Sequence, residues 1–215
     1  MAPDTGEVLA VIEGNALTAL RTAAATAVAA SALARPDASV LALLGSGVLA
    51  RSHARLLRRV RPIREIRIWS RDPGNVRRCA EEIGGVACSS AEQAVRGASI
   101  VCTVSNAAEP ILAGRWLAPD AFVAAVGAPR PTWRELDDEA MRHPVVADQR
   151  EAAEKESGDV VLSGARVYAE LGEILLNRVA RPPVNRPVIF KSLGLAIEDA
   201  VAARLVYDAA LGQGR

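Results

Sequence analysis

Short runs of apolar residues alternate along the chain with longer segments in which apolar positions recur every three or four residues. The short runs predict buried strands at 7–14, 40–44, 65–69, 85–88, 99–104, 121–127 and 144–148. The longer segments predict helices at 16–34, at about 47–60, 73–83 and 90–96, and at 133–143. Strands that are apolar throughout and that alternate with helices indicate an α/β fold with a parallel sheet covered on both faces.

The last third of the chain has a different pattern. It predicts a helix at about 149–157, a loop at 156–164, a helix at 167–176, a proline-rich stretch and a final helix from about residue 194. We therefore divide the chain into three parts. Residues 36–165 carry the sheet, whereas 1–35 and 166–215 form a second, smaller lobe that is built from both chain ends.

Composition limits the classes of partner. Half of the 215 residues are hydrophobic, a quarter are charged and 3% are aromatic, so alanine and aliphatic side chains must fill a globular core. The net charge of +1 gives no general attraction to nucleic acid or to membranes. Asp4 and Glu7 stand where a signal peptide has basic residues, and uninterrupted apolar runs are short, which indicates a cytoplasmic protein without a membrane span. Cys79, Cys88 and Cys102 are predicted to be buried free thiols.

A glycine turn follows the strand at 40–44. Gly45, Gly47 and Ala50 match the G-x-G-x-x-A form of the dinucleotide-binding fingerprint, between a strand and a helix. The first glycine allows the tight turn, the second lets a pyrophosphate approach the backbone, and the helix N-terminus attracts the phosphates. The alternative is an ordinary glycine turn of an α/β protein.

The end of the second strand of this unit indicates which dinucleotide is bound. Enzymes that use NAD place an acid there against the ribose 2′-hydroxyl, but this chain has Ser70 and Arg71, with Asn75 one turn later. A guanidinium can bind a 2′-phosphate through charge-assisted hydrogen bonds, which favours NADP(H). Two alternatives stay open: Asp72 could bring a carboxylate into play, and Arg71 could be a solvated surface residue.

Eight segments, in order, are similar to the ornithine cyclodeaminase/mu-crystallin family: GNALTALRTAAATAVAA, LGSGVLARSH, IRIWSRD, EPIL, VGAPRPTWRELDDE, ESGDVVLSG, AELGE and FKSLG. The resemblance implies a Rossmann-like, doubly wound parallel sheet and a substrate lobe that also forms a homodimer. It further implies that family members carry more of this lobe ahead of GEVLAVIEGN. We therefore expect an incomplete lobe here, and a chain extended at its N-terminus is expected to turn over faster.

The resemblance also implies residue roles. Arg21 matches the arginine that binds the substrate carboxylate, and Asp159 matches an active-site acid beside the nicotinamide. Ser192 and Leu193 are expected to close over the nicotinamide from the second lobe, and Lys191 is expected at the surface or between lobes. The predicted cofactor-binding residues are Gly45, Ser46, Gly47, Val48, Leu49, Ser70, Arg71, Asp72, Asn75, Thr103, Val104, Ser105, Val126, Ser192 and Leu193.

The resulting functional hypothesis is the NADPH-dependent reduction of cyclic ketimines such as piperideine- or pyrroline-carboxylates. Four alternatives remain: a cyclodeaminase, an amino-acid dehydrogenase, a binding protein like the thyroid-hormone-binding member of the family, and a shortened chain that binds the cofactor weakly and catalyses nothing. His53 is expected to be solvated or capping, with contact to the cofactor as the alternative, and His143 is expected to lie in a loop. No third ligand is near them, so metal catalysis has no support.

Overall fold

A computed structural model describes residues 4–212 of the chain. The strands are β1 Val40–Leu44, β2 Glu65–Trp69, β3 Val86–Ala87, β4 Ile100–Thr103, β5 Phe122–Ala125, β6 Val145–Ala147, β7 Val167–Glu170 and β8 Val188–Lys191. The α-helices are α1 Gly14–Leu33, α2 Val48–Val60, α3 Pro73–Ile83, α4 Ala91–Val95, α5 Arg150–Glu156, α6 Gly158–Ser163, α7 Leu171–Leu175 and α8 Ala196–Ala210. Two short 3₁₀ turns lie at Gly114–Trp116 and Ala140–Arg142.

The eight strands form one sheet in the order β3-β2-β1-β4-β5-β8-β6-β7, and every neighbouring pair is parallel. This confirms the predicted α/β class with a parallel sheet. The order on either side of β1 and β4 places a topological switch point between these two strands, where α/β proteins bind ligands at the carboxyl ends.

Side chains along each central strand point alternately to the two faces of the sheet. Leu41 and Leu43 pack with α1, α2, α3 and α7, whereas Ala42 and Leu44 pack with α4, α5 and α6. Both faces are therefore covered, which is why the strands are apolar at every position.

The helix α1 packs along α2 through alanines, and it also contacts β5 and β8. Within the described residues α1 is long and apolar enough to cross a membrane, judged by length and composition alone. The prediction from sequence concerned unbroken apolar runs, and α1 is interrupted by Arg21 and by threonines. Buried helices have the same composition, and nearly half of α1 is buried against the rest of the protein.

Two polar contacts join α1 to α2. Thr26 donates to His53 Nε2 at 3.0 Å, while Nδ1–H of His53 donates to the carbonyl of Leu49 at 2.7 Å, and His53 is fully buried. At the other end, one nitrogen of Arg61 donates to the carbonyls of Ala30, Ser31 and Ala34 and so caps the C-terminus of α1. The expectation of a solvated or capping His53 was wrong, because the turn that carries it faces α1.

Several predicted elements differ from the structure. Residues 7–14 form no strand, since no neighbouring strand pairs with them, and Val11 is 93% exposed. The helix expected at 133–143 is reduced to the turn at Ala140–Arg142. The loop expected at 156–164 contains α6.

The division of the chain near residue 165 also needs correction. The helix expected at 167–176 splits into β7 and α7, and β8 was not predicted at all. Both strands belong to the main sheet, and β8 lies between β5 and β6. Of the two helices in residues 166–212, α7 packs against the core of the sheet, whereas α8 buries none of its residues.

Burial lowers the pKa of His53 to about 4, against an ordinary value of 6.5. The unfolded chain therefore binds more protons than the folded chain between these pH values, and stability falls as the pH drops below 6.5. We expect His53 to account for about 2 kcal/mol of lost unfolding free energy between pH 7.5 and pH 5.0, at about 1.4 kcal/mol per pKa unit. Urea denaturation at the two pH values measures this loss.

The variant His53→Gln removes the titrating group and should lose less stability than the wild type over this pH interval. The control His143→Gln changes the other histidine of the chain, which is half-buried, and should keep most of the wild-type pH dependence. An unchanged pH dependence in His53→Gln would contradict the assignment.

Candidate functional site

A cleft of about 510 Å³ opens at the carboxyl ends of β1, β2 and β4. It is lined by the β1–α2 turn, the end of β2 with the start of α3, and the segment after β4: Gly45, Ser46, Gly47, Trp69, Ser70, Arg71, Asp72, Asn75, Val104, Ser105, Asn106, Ala107 and Ile111. This is the switch point of the sheet, so the topology and the glycine fingerprint indicate the same place.

Gly45 has a conformation and a neighbour that exclude a side chain. Its φ is +135°, and a Cβ atom built there would lie 2.6 Å from the carbonyl oxygen of Val104. Gly47 begins α2 without a side-chain cap, a Cβ there would meet nothing within 4 Å, and the first turn of α2 holds no acid. The helix N-terminus therefore faces the cleft with N–H groups that no side chain of the described part of the chain caps, and with space for a phosphate.

Arg51, which the sequence analysis did not single out, stabilises this turn. Its Nη1 donates to the carbonyls of Ser46 at 2.8 Å and Gly47 at 3.1 Å, and its Nε pairs with Glu82 of α3. The only hint in the sequence was a basic residue one turn into the helix. Because the guanidinium binds the carbonyl side of the turn, the N–H side remains available to an anion.

The residues at the end of β2 take separate roles. Ser70 and Ser46 are joined through their hydroxyls at 2.8 Å, which ties this segment to the glycine turn. Asp72 caps α3 by accepting from the backbone N–H of Asn75 at 2.9 Å. Arg71 is exposed and makes no ion pair or side-chain hydrogen bond within residues 4–212. The Asp72 carboxylate at the cleft thus caps α3, whereas the Arg71 guanidinium has no partner within residues 4–212.

The other predicted cofactor residues are distributed along the same edge of the sheet. Val104 and Ser105 line the cleft, whereas Thr103 is fully buried beneath it. Ser192 donates its N–H to the carbonyl of Ala125 at 3.1 Å, next to Val126. The further predicted residues Val48 and Leu49 form the first turn of α2.

The expectation that Ser192 and Leu193 reach the site from a second lobe was wrong, because they directly follow β8 of the main sheet. Asp148, which the sequence analysis missed, holds this segment in place. Its carboxylate accepts from the N–H groups of Leu193 at 2.6 Å and Gly194 at 2.7 Å.

Asp159 lies in a fully buried network rather than on the surface of the cleft. One carboxylate oxygen accepts from the N–H groups of Glu135 at 2.7 Å and Leu136 at 3.0 Å, and the other accepts from Lys191 Nζ at 3.0 Å. Lys191 also donates to the carbonyl of Gly127 at 2.5 Å and is itself fully buried. The expectation of a surface lysine was wrong, and the surroundings of Asp159 differ from those expected of an acid that faces a substrate.

Arg21 likewise already has partners. Its guanidinium pairs with Asp199 at 2.9 Å and with Glu198 at 3.3 Å, both in the first turn of α8. It also lies so close to Gly194 that a Cβ there would overlap the guanidinium. In this structure the predicted substrate-binding arginine joins α1 to α8.

The chemistry of the cleft fits a dinucleotide cofactor. It has a glycine turn that a side chain would fill, an open helix N-terminus and an arginine without an acidic partner. No group of three His, Cys, Asp or Glu residues within 4–212 is arranged to hold a metal ion.

Comparisons with known proteins place the chain in one family. The profile of the ornithine cyclodeaminase/mu-crystallin family matches residues 1–214. Ketimine reductase mu-crystallin of Mus musculus is 49% identical over 210 residues, which cover 96% of this chain and 66% of that protein. Delta(1)-pyrroline-2-carboxylate reductase of Bacillus cereus is 32% identical over 226 residues, which cover 98% and 69%.

A solved structure has the same architecture. The Delta(1)-pyrroline-2-carboxylate reductase of Thermococcus litoralis, in complex with NADH and L-proline, superposes with a TM-score of 0.92 at 33% identity. The superposition covers 98% of this chain and 70% of that one, so the chain spans about two thirds of the length of these relatives. The chain belongs to the ornithine cyclodeaminase/mu-crystallin family.

Proposed function

We propose that the protein is an NADPH-dependent reductase of cyclic ketimines such as piperideine-2-carboxylate and pyrroline-2-carboxylate. The observation that carries the proposal is the cleft at the switch point of the sheet, with its glycine turn, open helix N-terminus and unpaired Arg71. The names of relatives that reduce ketimines or pyrroline-2-carboxylate support the substrate class.

The bound nicotinamide would supply a hydride to the imine carbon, and a proton would complete the amine nitrogen. The chain's own residues bind and orient the cofactor. The N–H groups that begin α2 would bind the pyrophosphate, with Arg51 holding the turn carbonyls away from it. Arg71 would bind the 2′-phosphate, since its guanidinium has no competing carboxylate among residues 4–212.

The substrate-binding role of Arg21 and the proton-transfer role of Asp159 stay predictions. Arg21 would have to exchange Glu198 and Asp199 for a substrate carboxylate. Asp159 would have to part from Lys191 and from two backbone N–H groups. The present contacts of both residues favour positioning roles. The Asp159 carboxylate already accepts three hydrogen bonds and has little capacity left for a substrate, and the Arg21 guanidinium is already paired with two acids.

A second candidate is a binding protein for an apolar ligand such as thyroid hormone. It is favoured by a groove of about 510 Å³ between α1 and α8, lined almost entirely by apolar side chains. A homodimer would cover the same region, where Ile197, Val201 and Leu205 of α8 are exposed.

The three cysteines are free and buried, which is compatible with a cytoplasmic location.

Cofactor selectivity tests the role of Arg71. Arg71→Gln should weaken NADPH binding by about ten- to a hundredfold, because charge-assisted hydrogen bonds to the 2′-phosphate are lost. NADH binding should change by less than about threefold, since NADH has no such phosphate. Calorimetric titration with both nucleotides measures the two affinities.

The matched control is Arg59→Gln, which removes the same charge from an exposed position on α2. It should leave both affinities unchanged. Equal affinity of the wild type for NADPH and NADH would refute the selectivity, and binding of neither nucleotide would refute the cofactor site.

Turnover tests the reaction. With NADPH in excess, the protein should oxidise NADPH when piperideine-2-carboxylate is added, because the imine carbon accepts the hydride. Absorbance of the reduced nicotinamide follows the reaction. Ammonia release from ornithine would instead identify a cyclodeaminase, and tight NADPH binding without oxidation would favour the binding protein.

A further inference from the structure

A second acid, Glu135, is buried beneath the cleft and was not predicted to have a role. It is fully buried, and one carboxyl oxygen, Oε1, accepts from both the N–H and the hydroxyl of Ser105, at 2.8 and 2.5 Å. Ser105 follows β4 and lines the cleft, and its hydroxyl also accepts from the N–H of Ala107 at 3.1 Å. The side chain of Glu135 thus holds the segment that forms one wall of the cleft.

The other carboxyl oxygen of Glu135, Oε2, is buried and has no hydrogen-bond partner within the described residues. It lies against Gly127, where a Cβ atom would overlap it. The hydroxyl of Thr103, at the end of β4, is likewise buried without a partner. An ionised carboxylate would leave a charged oxygen buried without a hydrogen bond here, which costs more free energy than burying a neutral carboxyl in the same place.

The charges around Glu135 favour the protonated form. The buried cluster contains one cation, Lys191, which already pairs with Asp159 at 3.0 Å. A second ionised acid would give the cluster a net charge of −1 without access to water. Burial raises the pKa of Glu135, and the hydrogen bonds from Ser105 and the Lys191 charge offset this effect only in part.

We propose that Glu135 is a positioning residue: a neutral carboxyl that locks Ser105 and Gly127, after β4 and β5, into the shape of the nucleotide-binding cleft. The backbone of Glu135 also holds the segment after β4, because its carbonyl accepts from the N–H groups of Ile111 and Leu112 at 2.8 and 2.9 Å. The inference rests on the proposed function in that the nucleotide is the ligand of this cleft.

Ionisation of Glu135 should weaken its hold on the Ser105 segment and on Gly127. The groups that face it are Lys191 from β8, Asp159 from α6, and Thr103 and Ser105 from β4 and the segment after it. At alkaline pH a charged Glu135 would repel Asp159 across the cluster. Nucleotide affinity in the wild type should therefore fall as the pH rises, and this fall should be absent in Glu135→Gln.

Three variants test the proposal. Glu135→Gln is neutral and of the same shape, so it still accepts from Ser105 and should bind NADPH within about threefold of the wild type. Glu135→Ala removes the contact, and Glu135→Asp withdraws the acid by one methylene. Both should weaken binding by about tenfold and should speed hydrogen exchange of the Ser105 amide to a similar extent.

Infrared difference spectra between the wild type and Glu135→Gln at pH 7 report the protonation state directly, and they should show the carbonyl band of a neutral acid. The control Glu139→Gln changes an exposed acid of the same segment and should alter none of these readouts. A carboxylate band, or a tenfold loss of affinity in Glu135→Gln, would overturn the neutral form.

Unchanged protection of the Ser105 amide in both Glu135→Ala and Glu135→Asp would refute the positioning role of Glu135. If one of these two variants does not fold, hydrogen exchange in the other tests the positioning role. The comparison of the wild type with Glu135→Gln tests the neutral form in any case. A wild type that binds no nucleotide refutes the proposed function instead, because the exchange and infrared measurements need no nucleotide.

Discussion

The close approach of the β1–α2 turn to the end of β4 is the constraint on which the cleft depends. Gly45 passes so near the Val104 carbonyl that no side chain fits between them. This approach brings the N-terminus of α2, the end of β2 and the segment after β4 around one space. The same principle operates in the core, where alanines let α1 lie directly on α2 in a chain that has few aromatic residues.

Beneath the cleft, buried polar groups fix the positions of neighbouring segments through directional hydrogen bonds, which apolar packing cannot provide. The Lys191–Asp159 pair joins β8 to α6, and Asp159 also holds the backbone at Glu135 and Leu136. Each charge in this pair has a partner, as burial requires. Such a network is sensitive to geometry, so it defines the position of the end of β8 relative to α6 and to the segment at Glu135 more sharply than aliphatic packing would.

The α1–α8 region has a different character. Arg21 bridges the two helices through Glu198 and Asp199, yet the flanking apolar side chains of α8 are exposed. The sheet and its cleft therefore have a complete core, whereas this groove presents apolar surface to whatever lies next to it.

The amino-acid sequence by itself determined the parallel α/β architecture, the glycine turn and the place of an arginine after β2, because strand periodicity, turn chemistry and helix starts are local properties. Tertiary structure alone decided the rest. The apolar run of β8 lies beyond a proline-rich stretch and becomes a strand only because β5 and β6 leave a place between them. Lys191, His53 and Glu135 look like surface residues in sequence, and only their distant partners Asp159, Thr26 and Ser105 make their burial possible.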